Sequence, residues 1–437
     1  MKVGIIGGGV AGLSAAYELS KRNIRVTLYE KSHVLGGLAS FFPLDNGFIE
    51  RYYHFICLGD NVLFSLLDEL KIKNNLKWIN TKMGLFYNGK LYPFGSGFDL
   101  LRFPHMTLGE KLKFGFALLE IKSRKADNWK NIENIPSSEW LIRKFGKNIY
   151  NILHEPLIRL KFGNYAPILS AAWMWARIHR IGKSRNKITQ KEILGYIEGG
   201  TKTLIDSLEA EIIKHGGEII KGKEVNSVEL FPDSKVKGIK VDSQIIEFDA
   251  VISTVPSPVF LSLLPKLDGT YWTNLKKIDS IGVMCVLMKL KKSLTENFWL
   301  NISDRRISLA GVIEYTNLNP CYFLNGRRII YLPQYISSDD ERFSFDDNKI
   351  ISQYLGYLNI IRNDLKEEDI DAAYVFRDKY AQPICEVGFS KIMPSIKTPI
   401  KGLYMTDSSQ LHPDDRTISN SIELGRKAAK LIFDDNM

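Results

Sequence analysis

Cysteine is scarce. The 437 residues hold four, Cys57, Cys285, Cys321 and Cys385, far apart and with no Cys-x-x-Cys pair. That spacing speaks against a zinc site and a disulfide framework, so no metal is expected and the expected compartment is a reducing, cytoplasmic one. Long apolar runs are also absent: no stretch reaches the roughly 20 residues that a membrane-spanning helix needs. The apolar start after Lys2 is broken by glycines between Gly7 and Gly12, which argues against the apolar segment of a signal peptide. There is no low-complexity tract and no internal repeat. No nucleic-acid-binding module or basic-aromatic strand pattern occurs, so nucleic acid is not an expected partner. What remains is 45% hydrophobic and 25% charged, the balance of a globular chain long enough for two domains.

Positive charge is in excess but uneven. Residues 101–200 carry 18 Lys and Arg against 8 Asp and Glu, and that excess equals the net +10 of the whole chain. The same window holds apolar stretches at 98–103, 112–121 and 171–175, the last followed by Arg177, His179, Arg180, Lys183 and Arg185. Basic residues beside Trp and Leu suggest a surface for anionic lipid, through residues 98–190, or for an anionic substrate. The plainer alternative is a solvated helical domain with core tryptophans.

The strongest signal is at the start. Lys2-Val3-Gly4-Ile5-Ile6 reads as a buried strand, Gly7-Gly8-Gly9-Val10-Ala11-Gly12 as a tight turn, 13–21 as a helix and 24–29 as a second strand ending on Glu30. A Gly-x-Gly-x-x-Gly turn between strand and helix, followed by an acid, is a dinucleotide-binding fingerprint. Gly7 permits the turn, Gly9 lets a pyrophosphate approach the backbone, and Gly12 lets helix and strand pack closely. The helix N-terminus offers N–H groups to the phosphates, and Glu30 can accept the ribose hydroxyls.

After Glu30 the chain runs Lys31-Ser32-His33-Val34-Leu35-Gly36-Gly37-Leu38-Ala39. This second glycine pair resembles the extended signature of the FAD-dependent amine oxidase, protoporphyrinogen oxidase and phytoene desaturase superfamily. Many members have Arg after the pair, where this chain has Leu38. Two later blocks are similar to the same family. One is Glu198-Gly199-Gly200 before a helix, with a strand from Val225 and the loop Thr254-Val255-Pro256. The other is a strand over 399–407 ending on Thr406-Asp407, with Thr417-Ile418-Ser419 opening a last helix. The resemblance implies an α/β fold: a Rossmann-like FAD-binding domain (parallel sheet with helices), an α+β substrate domain and a helical insertion. The chain then divides into cofactor pieces at 1–80, 196–257 and 397–437, a hairpin and basic helical insertion at 81–195, and a substrate domain at 258–396. Asn88-Gly89 is the expected turn of that hairpin. Pro136 should open a helix capped by Ser137 or Ser138. Strands are expected over 283–289, 307–313 and 328–332.

The resemblance further implies FAD held by Gly7, Gly9, Val10, Ala11, Gly12, Glu30, Lys31, Gly36, Gly37, Leu38, Ala39, Val225, Thr254, Asp407, Thr417, Ile418 and Ser419. Two segments should reach the flavin ring. Glu50-Arg51-Tyr52-Tyr53-His54-Phe55 offers His54, whose unperturbed pKa lies near neutrality, and Arg51 for an anionic substrate. Lys379-Tyr380-Ala381-Gln382 offers Tyr380 as an aromatic flank, and His412 is a further candidate. The expected activity is hydride removal from a C–N or C–C bond of a lipid-like or phosphorylated small molecule, on a cytoplasmic protein that can lie against the inner face of the membrane. Two rivals stand beside it: a non-redox sugar-nucleotide mutase similar to UDP-galactopyranose mutase, and a flavoprotein that binds a partner without turnover. Oligomeric state is not readable from the sequence.

Overall fold

A computed structural model describes residues 1–125, 127–184 and 192–435. Arg185, named above with the basic window, lies outside the described residues.

The strand Lys2–Ile6 is central to a five-stranded parallel sheet. Its order is Leu403–Met405, Ala250–Ser253, Lys2–Ile6, Arg25–Glu30 and Glu218–Lys221. Strands buried on both faces read as continuous apolar runs, as Val-Gly-Ile-Ile and Ala-Val-Ile do here. One face is covered by the helices Val10–Ser20, Thr201–Lys214 and Ile418–Asp435. The first and last of these cross closely at Gly425, where an added Cβ would lie 2.2 Å from the Ala11 carbonyl oxygen. The other face is covered by a three-stranded antiparallel sheet, Val225–Leu230, Val236–Val241 and Gln244–Glu247. Phe248 fills the gap above Gly4 and meets the Tyr29 ring edge-on.

A seven-stranded sheet forms the second layer. Its order is Ile370–Pro383, Ser280–Leu290, Arg328–Ser337, Gly311–Glu314, Trp299–Ser303, Met83–Tyr87 and Lys90–Pro93. Along Ser280–Leu290, Met284, Val286 and Met288 face the helix Asp347–Ile361, which returns Ile350, Tyr354 and Leu358 at helical spacing. The alternate residues Val283, Cys285 and Leu287 face Tyr331, Phe298 and Tyr315. Asn88 and Gly89 join the Met83–Tyr87 hairpin, both at positive φ (49° and 74°), as a type I′ turn requires.

The helical insertion comprises Gly97–Arg102, Leu108–Ser123, Ser137–Phe145, Glu155–Phe162 and Ala171–Lys183. Trp173 and Trp175 are core residues, packed with Phe145 and Phe162, as the plainer reading of this window has it. Two expectations are corrected within these layers. The helix after Pro136 has no serine cap: Ser137 is its first residue, fully buried, with its N–H given to the Leu169 carbonyl at 2.7 Å. Only Gly311–Glu314 of the strand expected over 307–313 forms, because Asp304 closes a turn with the Arg306 N–H and side chain. No described helix is long and apolar enough to cross a membrane. The four cysteines are free and buried.

Candidate active site

A cavity of about 860 Å³ runs between the layers, within the size range of small-molecule sites. One end is built by the glycine turn. Gly7 has φ +106° and gives its N–H to the Tyr29 carbonyl at 2.8 Å. Gly12 has no room for a side chain, since an added Cβ would sit 2.0 Å from the Gly7 carbonyl oxygen. Gly9 is the opposite case. Its Cβ position has no atom within 4 Å and opens on the cavity. The second glycine pair docks beside it: Gly36 gives its N–H to Gly8 at 2.8 Å, and Gly36 and Gly37 both have positive φ (111° and 56°). Glu30 accepts the Gly8 N–H at 2.7 Å and the Ser32 N–H at 2.8 Å while still lining the cavity, so its remaining lone pairs are free for a ligand. Thr254 braces the turn by donating to the Ile6 and Gly7 carbonyls, each at 3.1 Å.

The far end brings together segments remote along the chain. Asp407 accepts the Ser257 N–H at 2.8 Å and the Ser409 N–H at 2.9 Å, tying two loops at the sheet's edge. Thr417 accepts the Asn420 N–H at 3.0 Å and so caps the last helix, whose first residue Ile418 lines the cavity. Of the residues anticipated from sequence, Gly7, Gly9, Val10, Ala11, Glu30, Lys31, Gly36, Gly37, Leu38, Ala39, Val225, Thr254, Asp407, Thr417, Ile418, His54 and Tyr380 line this one cavity. Gly12, Arg51 and Ser419 do not. Ser419 turns away to accept the Leu63 N–H at 3.3 Å, and the Arg51 Nε is buried without a hydrogen-bond partner among the described residues. His412 is also outside, 3.3 Å from Glu133 and between the rings of Trp129 and Phe389.

His54 does not titrate near neutrality. Burial lowers its pKa to about 4, with the Tyr52 carbonyl opposing. Its Nδ1 lies 2.8 Å from that carbonyl, which can only accept, so Nδ1 carries the proton and Nε2 is left as an acceptor. Burial also pushes the Tyr52 and Tyr53 phenols and the Cys285 thiol far up. The wall is therefore neutral and aromatic here.

Of the charged wall opposite, the sequence points to Arg177 and Arg180 within the basic window but not to Lys161, Asp415 or Arg416. Lys161 on Glu155–Phe162, Arg177 and Arg180 on Ala171–Lys183, and Asp415 and Arg416 before the last helix all line the cavity. Arg177 pairs with Asp415 at 3.1 Å and Arg180 with Asp60 at 3.4 Å. Arg416 donates to the Ala381 carbonyl. Burial pushes the Asp415 carboxyl up, but Lys161, Arg177 and Arg416 together hold it below its ordinary value. The signal was present as Asp-Asp-Arg directly before the final helix cap, at 414–416.

The shape and chemistry fit an FAD. A Cβ-free floor at Gly9, backbone N–H groups at a helix start, a carboxylate at one end and a second helix start at the other are joined by one open volume.

Comparison with known proteins agrees. A protein assigned as a protoporphyrinogen oxidase from Exiguobacterium sp. 255-15 superposes with a TM-score of 0.77 at 19% identity, over 100% of this chain and 99% of that one. Reduced UDP-galactopyranose mutase gives 0.75 at 16% identity, over 100% and 96%. At such identities the likeness shows the fold alone. The 15-cis-phytoene desaturase of Synechococcus elongatus is 23% identical over 325 residues, 68% of this chain and 67% of that protein. The family model for flavin containing amine oxidoreductases matches residues 10–432, from the glycine turn to the last helix. The chain therefore belongs to the flavin containing amine oxidoreductase family and is an oxidoreductase with FAD as its cofactor.

Proposed function

We propose that the protein removes a hydride from a C–N or C–C bond of a lipid-like or phosphorylated small molecule. The observation that carries this is the single cavity reaching from Glu30 and Val225 to His54 and Tyr380. When bound, FAD supplies a two-electron acceptor. The chain's residues hold and surround it. Gly7, Gly9, Val10, Ala11 and Gly12 form the pyrophosphate floor and helix start. Glu30 and Lys31 face the adenosine, and Val225 lies on the adenine side. Gly36, Gly37, Leu38, Ala39 and Thr254 close over the middle. Asp407, Thr417, Ile418 and Ser419 bring the last helix N-terminus to the flavin end, where its dipole favours negative charge.

Hydride loss needs orientation and dryness more than a strong acid or base. The neutral His54 and the un-ionised Tyr52 and Tyr53 supply such a wall, with Tyr380 as an aromatic flank. Proteins of similar sequence are named for desaturation of 15-cis-phytoene and for oxidation of protoporphyrinogen, which supports a small-molecule substrate of this kind. The exposed apolar residues of Gly97–Arg102 and Leu108–Ser123 support access to such a substrate from an anionic membrane surface.

The fold likeness to UDP-galactopyranose mutase and the cationic wall at Lys161 and Arg416 favour one second reading, a non-redox sugar-nucleotide mutase. One experiment separates the two. The purified protein is expected to be yellow. Its flavin absorption should bleach anaerobically with one class among amines, polyprenols, porphyrinogens and nucleotide sugars. Turnover of a nucleotide sugar only after prereduction, with no net oxidation of any class, would replace this reading with the mutase.

A further inference from the structure

The neutral aromatic wall leaves the charged end of the cavity without a task. Lys161 is 5% exposed, yet it lines the cavity. Its Nζ lies 4.7 Å from the centroid of the Trp173 ring, 5.0 Å from Tyr335 and 5.6 Å from Phe162. Neither a hydrogen bond nor an ion pair holds it among the described residues. Aromatic faces return only part of the cost of desolvating an ammonium. The nearby carboxylates are engaged elsewhere. Asp415 takes Arg177 on Oδ2 at 3.1 Å and the Arg416 N–H on Oδ1 at 3.1 Å, and Asp60 faces Arg180. Arg416 donates to a carbonyl and forms no ion pair among the described residues. Two cations thus line the cavity with only the shared field of Asp415 opposite them and, among the described residues, no ion pair to either.

We propose that this end of the cavity is an anion subsite, where Lys161, with Arg416 beside it, grips a carboxylate or phosphate of the substrate while the rest of the molecule lies along Tyr53 and Tyr335. The inference rests on reading the cavity as the substrate site, and it deepens that reading by giving the substrate a charged end. Aromatic rings around Lys161 fix the ammonium in one place. A carboxylate or phosphate would supply the hydrogen bonds it lacks, at the strength that ionised partners give. An anchored anion also sets how far along the cavity the reacting carbon sits.

The subsite has a pH signature. Burial pushes the Lys161 amine down to about 7, with Arg177 and Arg416 acting in the same direction and Asp415 opposing. The groups facing it are Asp415 and Arg416 from the loop before the last helix, Arg177 from Ala171–Lys183, Cys385 after Ile370–Pro383, and Tyr335 from Arg328–Ser337. An anion favours the ammonium, so binding above neutrality takes up a proton. Affinity should fall by roughly tenfold per pH unit above that value.

The test is calorimetric titration of the FAD-loaded protein with inorganic pyrophosphate and, separately, glutarate, in two buffers of different ionisation heat at pH 6 and pH 8. Expected is binding of at least one probe, weaker at pH 8, with about one proton taken up per anion there. The stronger probe tells phosphate from carboxylate. Lys161→Met should weaken binding by about tenfold or more and abolish the proton uptake while keeping its flavin. Lys161→Gln should do the same and serves if the Met variant is unstable. Lys161→Arg should retain binding without the fall at pH 8. No binding of either probe, or a Met or Gln variant that binds as the wild type does, overturns the subsite. Loss of flavin from a folded Met variant also overturns it, in favour of a cofactor contact. Wild-type protein that holds no flavin would instead defeat the oxidoreductase reading, which these titrations do not test.

Discussion

A side chain at Gly9 and one at Gly12 should fail for opposite reasons. Gly9 has an ordinary backbone, φ −70°, and an empty Cβ position. Gly9→Val should therefore fold and melt close to the FAD-free wild type, yet be colourless, because its methyl groups fill the space the pyrophosphate needs. Gly12→Ala places a Cβ against the Gly7 carbonyl, so the backbone must move, at a cost of about 1–3 kcal/mol of stability. Visible absorbance and thermal melting at matched concentration separate the two, and a Gly9→Val protein with full flavin content would refute the placement. Glu50 gives a pH test. It accepts the Thr201 N–H at 3.0 Å and the Tyr315 hydroxyl at 3.2 Å on Oε1, and Oε2 has no hydrogen-bond partner among the described residues. Burial pushes its carboxyl up, and those hydrogen bonds oppose only in part. A folded value above the unfolded one means the native state binds more proton, so stability is full below about pH 4.3 and is lost as pH rises through the folded value. Glu50→Gln should remove that slope: its melting temperature should gain on the wild type between pH 5 and pH 8, by on the order of a few degrees. A constant gap across that range would show that Glu50 does not titrate there. At this scale the glycines were readable because each answers to its own backbone. His54 and Lys161 were not, because their chemistry comes from burial by residues far along the chain, Trp173 and Tyr335 among them for Lys161.

Elements with a local signature were readable in order and nearly in register: the strand before the glycine turn, the Asn88-Gly89 hairpin, the helix that follows Gly199-Gly200. The strand Ile370–Pro383 was not. It is a sheet edge carrying Asp371, Arg377, Asp378 and Lys379, and only its partner Ser280–Leu290 reveals it. The insertion is the most informative case. Its tryptophans are core, as the plainer of the two sequence readings has it, while the exposed apolar residues lie on other helices. Leu108, Leu112, Phe116 and Leu119 recur at helical spacing along Leu108–Ser123, and Phe116 and Leu108 are 69% and 66% exposed. Phe98 and Leu101 continue the patch. The acids on these two helices are engaged, Asp99 and Glu110 in caps and Glu120 with Arg124 and Lys144, whereas Lys113 and Lys122 make no ion pair among the described residues. An apolar stripe flanked by uncommitted cations fits an anionic bilayer surface. Leu112→Ser with Phe116→Ser should weaken cosedimentation with anionic vesicles by roughly 10- to 100-fold, about 1–1.5 kcal/mol for each side chain. Added salt should weaken the wild type, and vesicles without anionic lipid should bind less. Equal binding by the double variant would remove the membrane from the account.

For the whole molecule, the cofactor sheet takes its strands from three stretches, Lys2–Ile6 with Arg25–Glu30, Glu218–Lys221 with Ala250–Ser253, and Leu403–Met405. Each stretch delivers part of one cavity: Gly9 and Glu30, then Val225 and Thr254, then Asp407 and Ile418. This convergence was readable because each stretch carries its own glycine or acid marker. The seven-stranded sheet carries none, since its strands match one another only through pairing and burial. A ligand spanning all three stretches links parts of the chain that close against one another late in the sequence. It binds the folded state and not the unfolded one, so it must stabilise by mass action. FAD-stripped protein should therefore melt below the holoprotein, and FAD at about a hundred times its dissociation constant should restore about 2.7 kcal/mol, a shift of a few degrees. The Gly9→Val protein should show no such shift. Proteolysis offers the matching readout: cleavage in the loops that tie Asp407 to Ser257 should slow with FAD in the wild type and not in the variant. If stripped and loaded wild type melt together while the protein remains yellow, the unfolded chain holds the flavin as well as the folded one does, and the cavity does not unite the three.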